Sequence, residues 1–503
     1  MEMIYYRGWI DFCNFFCSYC PFAKHPPSQK MMALEERSLQ NLKALIQSTR
    51  GEVFLMMTPY GEGMVHSFYQ QAVADLLSSD KVAGLGVQTN FSWNVEEFLS
   101  KVEKGLEKLR IWATYHPEFS SVEHFAQKIN KASEHFAISA GIVATTDNQK
   151  EIQHLRSALN PDVYLWLNAM DRQKNRFDEK RIEELLLIDP MFSYEFASYR
   201  EHFSNEANFE ICRSYENRYV DKNRQSNRCF FKNKQAIASD CHNHRLCDCY
   251  LGYSNFKQRK MVNFFGEGLP FRVPKKRKVK AIFIDIDGVM TSKDGRLLPD
   301  LEAVLRELSD CGRLYVATAR NLESAKKKLN KHWRFFEGGI FSDGALILDF
   351  EKEFERYYAI DEAADAFFDL KANSDLQIAE ENCISQLENK IRQDRYKTHL
   401  LRLQMPTGLG KKLKMEQWQR RFFDAKCFLQ HPKANKWQGI QDLMALNDWQ
   451  NEELFFISDN PQDDCAFEQL SYTATPFHSR KSVNRSFYIL ELRQLLLVLG
   501  KRD

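Results

Sequence analysis

VKAIFIDIDGVMT, residues 279–291, runs an apolar, largely β-branched segment straight into two carboxylates two positions apart. The apolar run reads as a buried strand, and Asp285 and Asp287 stand at its end. Side chains alternate along an extended chain, so both acids would point the same way if the chain stays extended. Two such acids can divide phosphoryl chemistry. One attacks phosphorus as a nucleophile; the other protonates the leaving oxygen and then activates water. A lone D-x-D also fits a turn or a simple metal clamp, so the decision rests on the rest of the second half.

The remaining parts occur there in order. VATAR at 316–320 places Thr318 at a strand end, a hydroxyl suited to a phosphoryl oxygen. Lys436 opens KWQGIQDLMAL, and FFISDNPQDD carries Asp459 and Asp463. Phosphoryl transfer needs charge neutralisation, from Mg²⁺ and a lysine, and an oxygen-only donor set suits Mg²⁺. D-x-D, Ser/Thr, Lys and a paired-acid motif in this order resemble the haloacid dehalogenase (HAD) superfamily. GIFSDGALI at 339–347 and the later insertion resemble its Cof-like branch, with a large cap.

The resemblance implies a Rossmann-like HAD core over residues 279–349 and 429–503, with an α+β cap over 350–428. It makes Asp285 the nucleophile and Asp287 the general acid/base. Thr318 and Lys436 would hold the phosphoryl group, and Mg²⁺ would lie among Asp285, Asp287, Asp459 and Asp463. Ser458 stands where the family often has glycine. Arg320 reads as readily as a surface residue at a helix start.

The first half has a different rhythm. Short apolar runs recur at IYYRGWI (from 4), EVFLMMT (52), GLGVQTN (84), LRIWATY (109), FAISAGIVAT (136) and VYLWLNA (163), with helix-like stretches between them. Such alternation predicts βαβ units and a parallel sheet, here a full or partial (β/α) barrel. Barrel sites collect at the C-terminal ends of the strands. CNFFCSYCPFAK, residues 13–24, comes after the first strand and spaces Cys13, Cys17 and Cys20 as C-x3-C-x2-C. These thiols could bind zinc with His25, or three irons of a [4Fe-4S] cluster whose fourth iron stays open.

The C-x3-C-x2-C spacing, Tyr19 before the last cysteine and the strand-end position resemble the radical SAM superfamily. The resemblance implies that S-adenosylmethionine chelates the open iron and is cleaved by an electron from the cluster, releasing a 5′-deoxyadenosyl radical. In TPYGEG (58–63), Gly61 and Glu62 match the family's Gly-Gly-Glu-like contact to the SAM amino group, with Tyr60 in place of the first glycine. Gln88 and Asn90 of QTN would reach SAM or substrate, while ordinary loop polarity remains the plain reading of Glu62 and Asn90. Cys212, Cys229, Cys241, Cys247 and Cys249 resemble an auxiliary-cluster extension of SPASM or twitch type. A second [4Fe-4S] cluster, zinc and reduced structural thiols all stay open there.

The expected domains are a radical SAM barrel (1–204), a Cys-rich extension (205–262), a linker (263–278) and the HAD domain. PKKRKV at 274–279 matches a viral nuclear-import peptide but reads as solvated linker. The composition, 44% hydrophobic and 27% charged with a net charge of +2, carries no field that would attract nucleic acid or membrane. No long apolar run or signal-peptide pattern is present, so a reducing, cytoplasmic location is expected. The whole reads as an α/β bifunctional enzyme acting on a small, phosphorylated sugar- or nucleotide-like substrate, with a flavodoxin-type reductase as electron donor. A radical SAM peptide-modifying enzyme is the alternative. The oligomeric state has no readable code.

Overall fold

The computed structural model describes residues 2–502 except 23–24, 27, 197–216, 223–225, 228–263, 267–271, 362–394, 397–398, 407–416, 424–425, 477–478, 480–486 and 490. The chain divides into two compact units, Met1–Lys276 and Arg277–Asp503.

The first unit is built on six strands that pair as parallel neighbours in chain order. They are β1 (Glu2–Gly8), β2 (Val53–Met57), β3 (Val82–Thr89), β4 (Leu109–Thr114), β5 (Ala137–Ala144) and β6 (Tyr164–Ala169). Each of the six apolar runs falls on one of these strands. Helices α1 (Gln29–Gln47), α2 (Ser67–Leu77), α3 (Val95–Leu99), α4 (Val122–Ala132) and α5 (Gln149–Ala158) fill the crossovers, and α6 (Glu179–Leu186) comes after β6. On the far side of β1, β7 (Asn217–Asp221) pairs in parallel and β8 (Ser226–Asn227) folds back on it. Among the described residues the sheet is open, with β6 and β8 at its edges. The strands are buried along most of their length, as a parallel sheet covered on both faces requires.

Aromatic packing determines part of this interior. Trp112 on β4 and Trp166 on β6 meet edge to face at 4.8 Å, and the Arg272 guanidinium lies 4.7 and 5.0 Å from their ring centres. Gly141 on β5 makes room, because a Cβ there would come within 1.8 Å of the Trp166 ring. Arg272 is buried and pairs with buried Glu195 at 3.1 Å, so its charge is not left alone in a low-dielectric interior.

In the second unit, β9 (Ala281–Ile284) is central and wholly buried. The chain builds outward on one side through β10 (Arg313–Ala317), β11 (Phe336–Phe341), β12 (Leu346–Asp349) and β13 (Phe354–Tyr357). It then returns to the other side of β9 through β19 (Leu454–Ile457), β20 (Thr473–Pro476) and β21 (Phe487–Ile489). The six strands β11, β10, β9, β19, β20 and β21 pair in parallel, while β12 and β13 are antiparallel. This is an α/β, Rossmann-like sheet, with α7 (Leu301–Ser309), α8 (Leu322–Leu329), α9 (Lys436–Asn447) and α10 (Asp464–Gln469) joining its strands. Chain direction across the sheet reverses at β9, and ligands of open α/β sheets bind at the carboxyl ends beside such a reversal. Between β13 and α9 lie the hairpin β14 (Arg395–Tyr396) and β15 (His399–Leu400), and a three-stranded antiparallel sheet. That sheet runs β16 (Arg402–Pro406), β18 (Lys426–Gln430), β17 (Gln419–Phe423).

Glu35 of α1 ties the end of β1 in place. Its carboxylate accepts hydrogen bonds from Tyr6 Oη at 3.0 Å and from the Trp9 amide. Gly8, at φ +63°, leaves the space the carboxylate occupies. Burial pushes this carboxyl up to about 7, against the hydrogen bonds of Trp9 and Tyr6, which favour its ionised form. An unfolded glutamate titrates near about 4.3, so protonation favours the fold and that advantage is lost as pH climbs through about 7. Glu35→Gln is therefore expected to remove roughly 2 kcal/mol of the stability loss between about pH 5 and pH 8, several degrees in thermal unfolding. Equal pH slopes for variant and wild type would refute it.

Candidate active site

Four separate segments converge at the carboxyl end of β9. The strand stops at Ile284, and the Asp285 amide still donates to Ile457 O at 3.0 Å, so the acid leaves the sheet beside the end of β19. Lys436, the first residue of α9, donates from Nζ to Asp285 Oδ2 at 2.5 Å and to Asp463 Oδ2 at 2.7 Å. Ser458 Oγ lies 3.0 Å from Asp285 Oδ2 and 2.6 Å from Asp463 Oδ2. All four side chains are buried. Burial pushes the Asp285 carboxyl up; the Lys436 ammonium opposes this, and Asp463 and Asp459 add to it. Burial likewise works against a charged Lys436, but Asp285, Asp463 and Asp343 outweigh it and hold the lysine protonated, well above its ordinary value.

Local chemistry explains each position. Asn435 caps α9, its side chain accepting from Gln438 N at 2.8 Å, which fixes where Lys436 begins. Asn460 does the same for the turn Pro461–Asp463, where proline suits the first helical position. Thr318, just past β10, is fully buried; its amide donates to Ile340 O at 2.8 Å, and its hydroxyl accepts from Arg320 N at 3.2 Å.

Asp287 differs from the expectation of simple alternation. The extended chain ends before it, and Gly288 turns at φ +71°. The turn, not the pleat, presents Asp287, whose side chain is 50% exposed. Arg320 grips it with both arms, Nε to Oδ2 and Nη2 to Oδ1, each at 2.8 Å. Arg320, which the sequence left open between a surface and a site residue, is thus held against Asp287; its place two residues after Thr318 was the available signal. Gly288 also lets Asp459 approach, since a Cβ there would sit 1.9 Å from Asp459 Oδ2. Asp459 lies close enough to Asp285 to push its carboxyl up, and two oxygen-only donors suit a small, hard cation such as Mg²⁺.

In the first unit the structure brings the strand-end residues to the cysteine loop. Glu62 N donates to Phe12 O and Gly61 N to Ile10 O, both at 3.1 Å, so the end of β2 is sewn to this loop. Gly61 is required because a Cβ would lie 1.8 Å from Phe12 O. Asn90 Nδ2 reaches Cys13 Sγ at 3.5 Å and Asn14 Oδ1 at 2.9 Å. Gln88 is half-buried on β3.

Glu62 is turned inward. Its carboxylate accepts from Met64 N (2.9 Å), Thr89 Oγ1 (2.8 Å) and Asn90 N (2.5 Å). Burial pushes it up to about 7, against those hydrogen bonds. Its visible work is to hold the ends of β2 and β3 together.

The thiols of Cys13, Cys17 and Cys20 are free of disulfides, with Cys17 the most buried. Cys17 Sγ lies 3.2 Å from His116 Nδ1, which also meets Tyr19 Oη at 2.7 Å. Burial lowers His116 to about 4, so it is neutral near pH 7. Cys13 Sγ accepts from Phe15 N at 3.3 Å, and Cys20 Sγ donates to Phe22 O at 3.5 Å. Burial pushes Cys13 up to about 11. His116, just beyond β4, was missed; its strand-end position was the signal. His25 is exposed and pairs through its backbone with Phe12.

Among the described residues, no group of three His, Cys, Asp or Glu is gathered tightly enough to hold a metal ion. Cysteine thiolate is the usual protein ligand of iron–sulfur clusters, but here the three thiols meet separate partners, Phe15 N, His116 Nδ1 and Phe22 O. Cys212, Cys229, Cys241, Cys247 and Cys249 lie outside the described residues. Among the described residues, no helix is long and apolar enough to cross a membrane.

No family model and no curated protein matches the chain. Solved structures similar to part of it include TM0651 from Thermotoga maritima, at 13% identity over 43% of this chain and 96% of that one, TM-score 0.35. BT1666 from Bacteroides thetaiotaomicron, a phosphatase of the haloalkanoate (HAD) enzyme superfamily, matches at 12% identity over 43% and 92%, TM-score 0.35. A haloacid dehalogenase-like hydrolase from the same organism matches at 14% over 44% and 98%, TM-score 0.34.

Lys436→Met would leave Asp285 and Asp463 buried without a cation, an expected loss of about 3–5 kcal/mol at neutral pH. Without the ammonium, burial and the neighbouring Asp463 leave the Asp285 carboxyl resisting ionisation in the fold, so the deficit shrinks as pH falls and Asp285 protonates. Thermal unfolding of the variant should therefore improve from about pH 8 to pH 5 relative to wild type. A variant as stable as wild type at the upper pH would contradict this account.

Proposed function

We propose that the chain is a bifunctional enzyme, with a Mg²⁺-dependent phosphohydrolase of HAD kind in its second unit and a radical SAM activity in its first. The observation that carries the first part is the buried Lys436 ammonium held between Asp285 and Asp463 at the carboxyl end of the central strand. Such a cluster is costly unless its charge is used, and here it lies at the reversal point of an α/β sheet.

Asp285 and Asp459 would hold the Mg²⁺, which when bound neutralises phosphoryl charge. Asp285 is the nucleophile: its carboxylate oxygen bonds to phosphorus as the ester P–O bond breaks. Asp287 gives its proton to the departing alkoxide, then takes one from the water that attacks the aspartyl-phosphate. Phosphate leaves and Asp285 is restored. Lys436 and the Thr318 segment orient the phosphoryl oxygens, Asp463 and Ser458 position Lys436, and Arg320 fixes Asp287 until substrate arrives.

For the first unit, the support is the cysteine loop placed after β1 of six consecutive parallel strands, with Gly61 and Asn90 packed on it. Cys13, Cys17 and Cys20 would hold a [4Fe-4S] cluster, which when bound supplies the electron that cleaves SAM. The Asn90 side chain and the Gly61 backbone line the loop that would carry it. One chain carrying both activities keeps their effective concentrations high for a shared metabolite, a small phosphorylated sugar- or nucleotide-like compound.

Asp285→Asn is expected to lower Mg²⁺-dependent hydrolysis of an aryl phosphate by about three orders of magnitude or more. If wild type and variant are equally inert across a panel of phosphometabolites, the phosphohydrolase reading falls. Anaerobically reconstituted protein should be brown and cleave SAM when reduced, and Cys17→Ala should lose that cleavage. Colourless protein that binds only zinc would end the radical reading.

A further inference from the structure

Beside the Lys436 cluster lies a buried charge arrangement that the proposed hydrolysis does not use. Residues Ser342, Asp343 and Gly344 form a turn with three successive positive φ angles, 50°, 52° and 95°. Left-handed backbone costs an ordinary residue about 1–2 kcal/mol, and such strain persists where surrounding contacts demand it. Here they do. Asp343 N donates to Thr318 O at 3.1 Å and Ser342 N to Arg320 O at 2.9 Å. Gly344 abuts Asn435, whose carbonyl oxygen would be 2.2 Å from a Cβ. The turn is therefore wedged between the Thr318 loop and the start of α9, and Asp343 is fully buried.

The inserted sheet brings two arginines to this acid. Arg402 of β16 donates from Nη2 to Asp343 Oδ2 at 2.9 Å and from Nη1 to Ala319 O at 2.8 Å, with its guanidinium 4.0 Å from the Phe428 ring centre. Arg421 of β17, opposite Phe428 in the register, comes within only 3.7 Å of the same Oδ2. Its Nη1 is buried and, among the described residues, has no hydrogen-bond partner. Arg421 itself is 9% exposed. A buried guanidinium donor without an acceptor is unfavourable, and its planar fork matches a carboxylate or phosphate.

We propose that Arg421, backed by the Asp343–Arg402 pair, receives a second anionic group of the substrate, so that the phosphohydrolase acts on phosphate esters bearing a carboxylate or a further phosphate. This inference rests on the phosphohydrolase reading of the second unit. Asp343 serves as the resting counter-ion, and its bond to the Thr318 carbonyl joins this subsite to the phosphoryl one.

The test is calorimetric titration of the full chain at saturating Mg²⁺ with methylphosphonate, phosphonoacetate and methylenediphosphonate. Wild type should bind at least one doubly charged probe about tenfold or more tightly than methylphosphonate, and the preferred one identifies the anion. Arg421→Met should reduce that ratio by about tenfold, while Arg421→Lys, which keeps the charge without the fork, retains part of it. Exposed Arg420 next to it provides the control, since Arg420→Met should leave the ratio as in wild type. A wild-type ratio near one with methylphosphonate bound, or a ratio unmoved in a folded Arg421→Met, overturns the subsite and leaves the phosphohydrolase reading intact. A wild type that binds none of the three overturns both.

Discussion

One ammonium shared by two buried carboxylates is the constraint on which the second unit depends. Lys436, Asp285 and Asp463 come from three distant segments and can be buried only together, because any one left alone would carry an uncompensated charge into the interior. That requirement sets where β9 must stop, where α9 must begin and where the chain after β19 must turn. Ser458 joins the same group through one hydroxyl near both carboxylates. Its side chain does in this chain what a glycine at the position could not.

The first unit is organised by a different device at the equivalent place. Backbone bonds between the end of β2 and the cysteine loop, and Asn90 from the end of β3, hold residues 10–14 against the strand ends. Glu62 and Glu35 are buried carboxylates satisfied by amides and hydroxyls rather than by a cation. Each replaces lost hydration with several donors, which is why both can be buried without a salt bridge. At the Lys436 cluster, charge balances charge; at Glu62 and Glu35, hydrogen bonds do.

Much of the architecture was legible because its signals are local. The six apolar runs of the first half and the run at 279–284 mark strands by composition and spacing alone, and the parallel sheets result from the helices between them. Thr318, Lys436, Asp459 and Asp463 were legible as residue types at strand and helix ends. Less legible were groups whose role arises from distant pairing. Arg402 and Arg421 against Asp343 have no local pattern that separates them from surface polar residues, and for Arg320 on Asp287 and His116 beside Cys17 a strand-end position was the only local sign. Glu62 shows the converse: its position in the sequence suggested a ligand contact, while its three donors make it a clasp.

By itself, the sequence determined the α/β class, the alternation of strands and helices along the chain and which segments carry acids, lysine and thiols, since periodicity and residue type act over a few neighbours. Tertiary structure alone decided which of those charges meet, which way each carboxylate faces and which glycines have to be glycine. Gly61 is indispensable only because Phe12 arrives from elsewhere in the chain to within a Cβ's reach, while at Gly288 the approach of Asp459 adds to a turn at φ +71° that already favours glycine. Asp343 can be buried in a strained turn only because arginines from the inserted sheet close over it. Desolvation explains the division: a charge must find its partner once water is removed, and that partner is chosen by the fold, not by its neighbours in sequence.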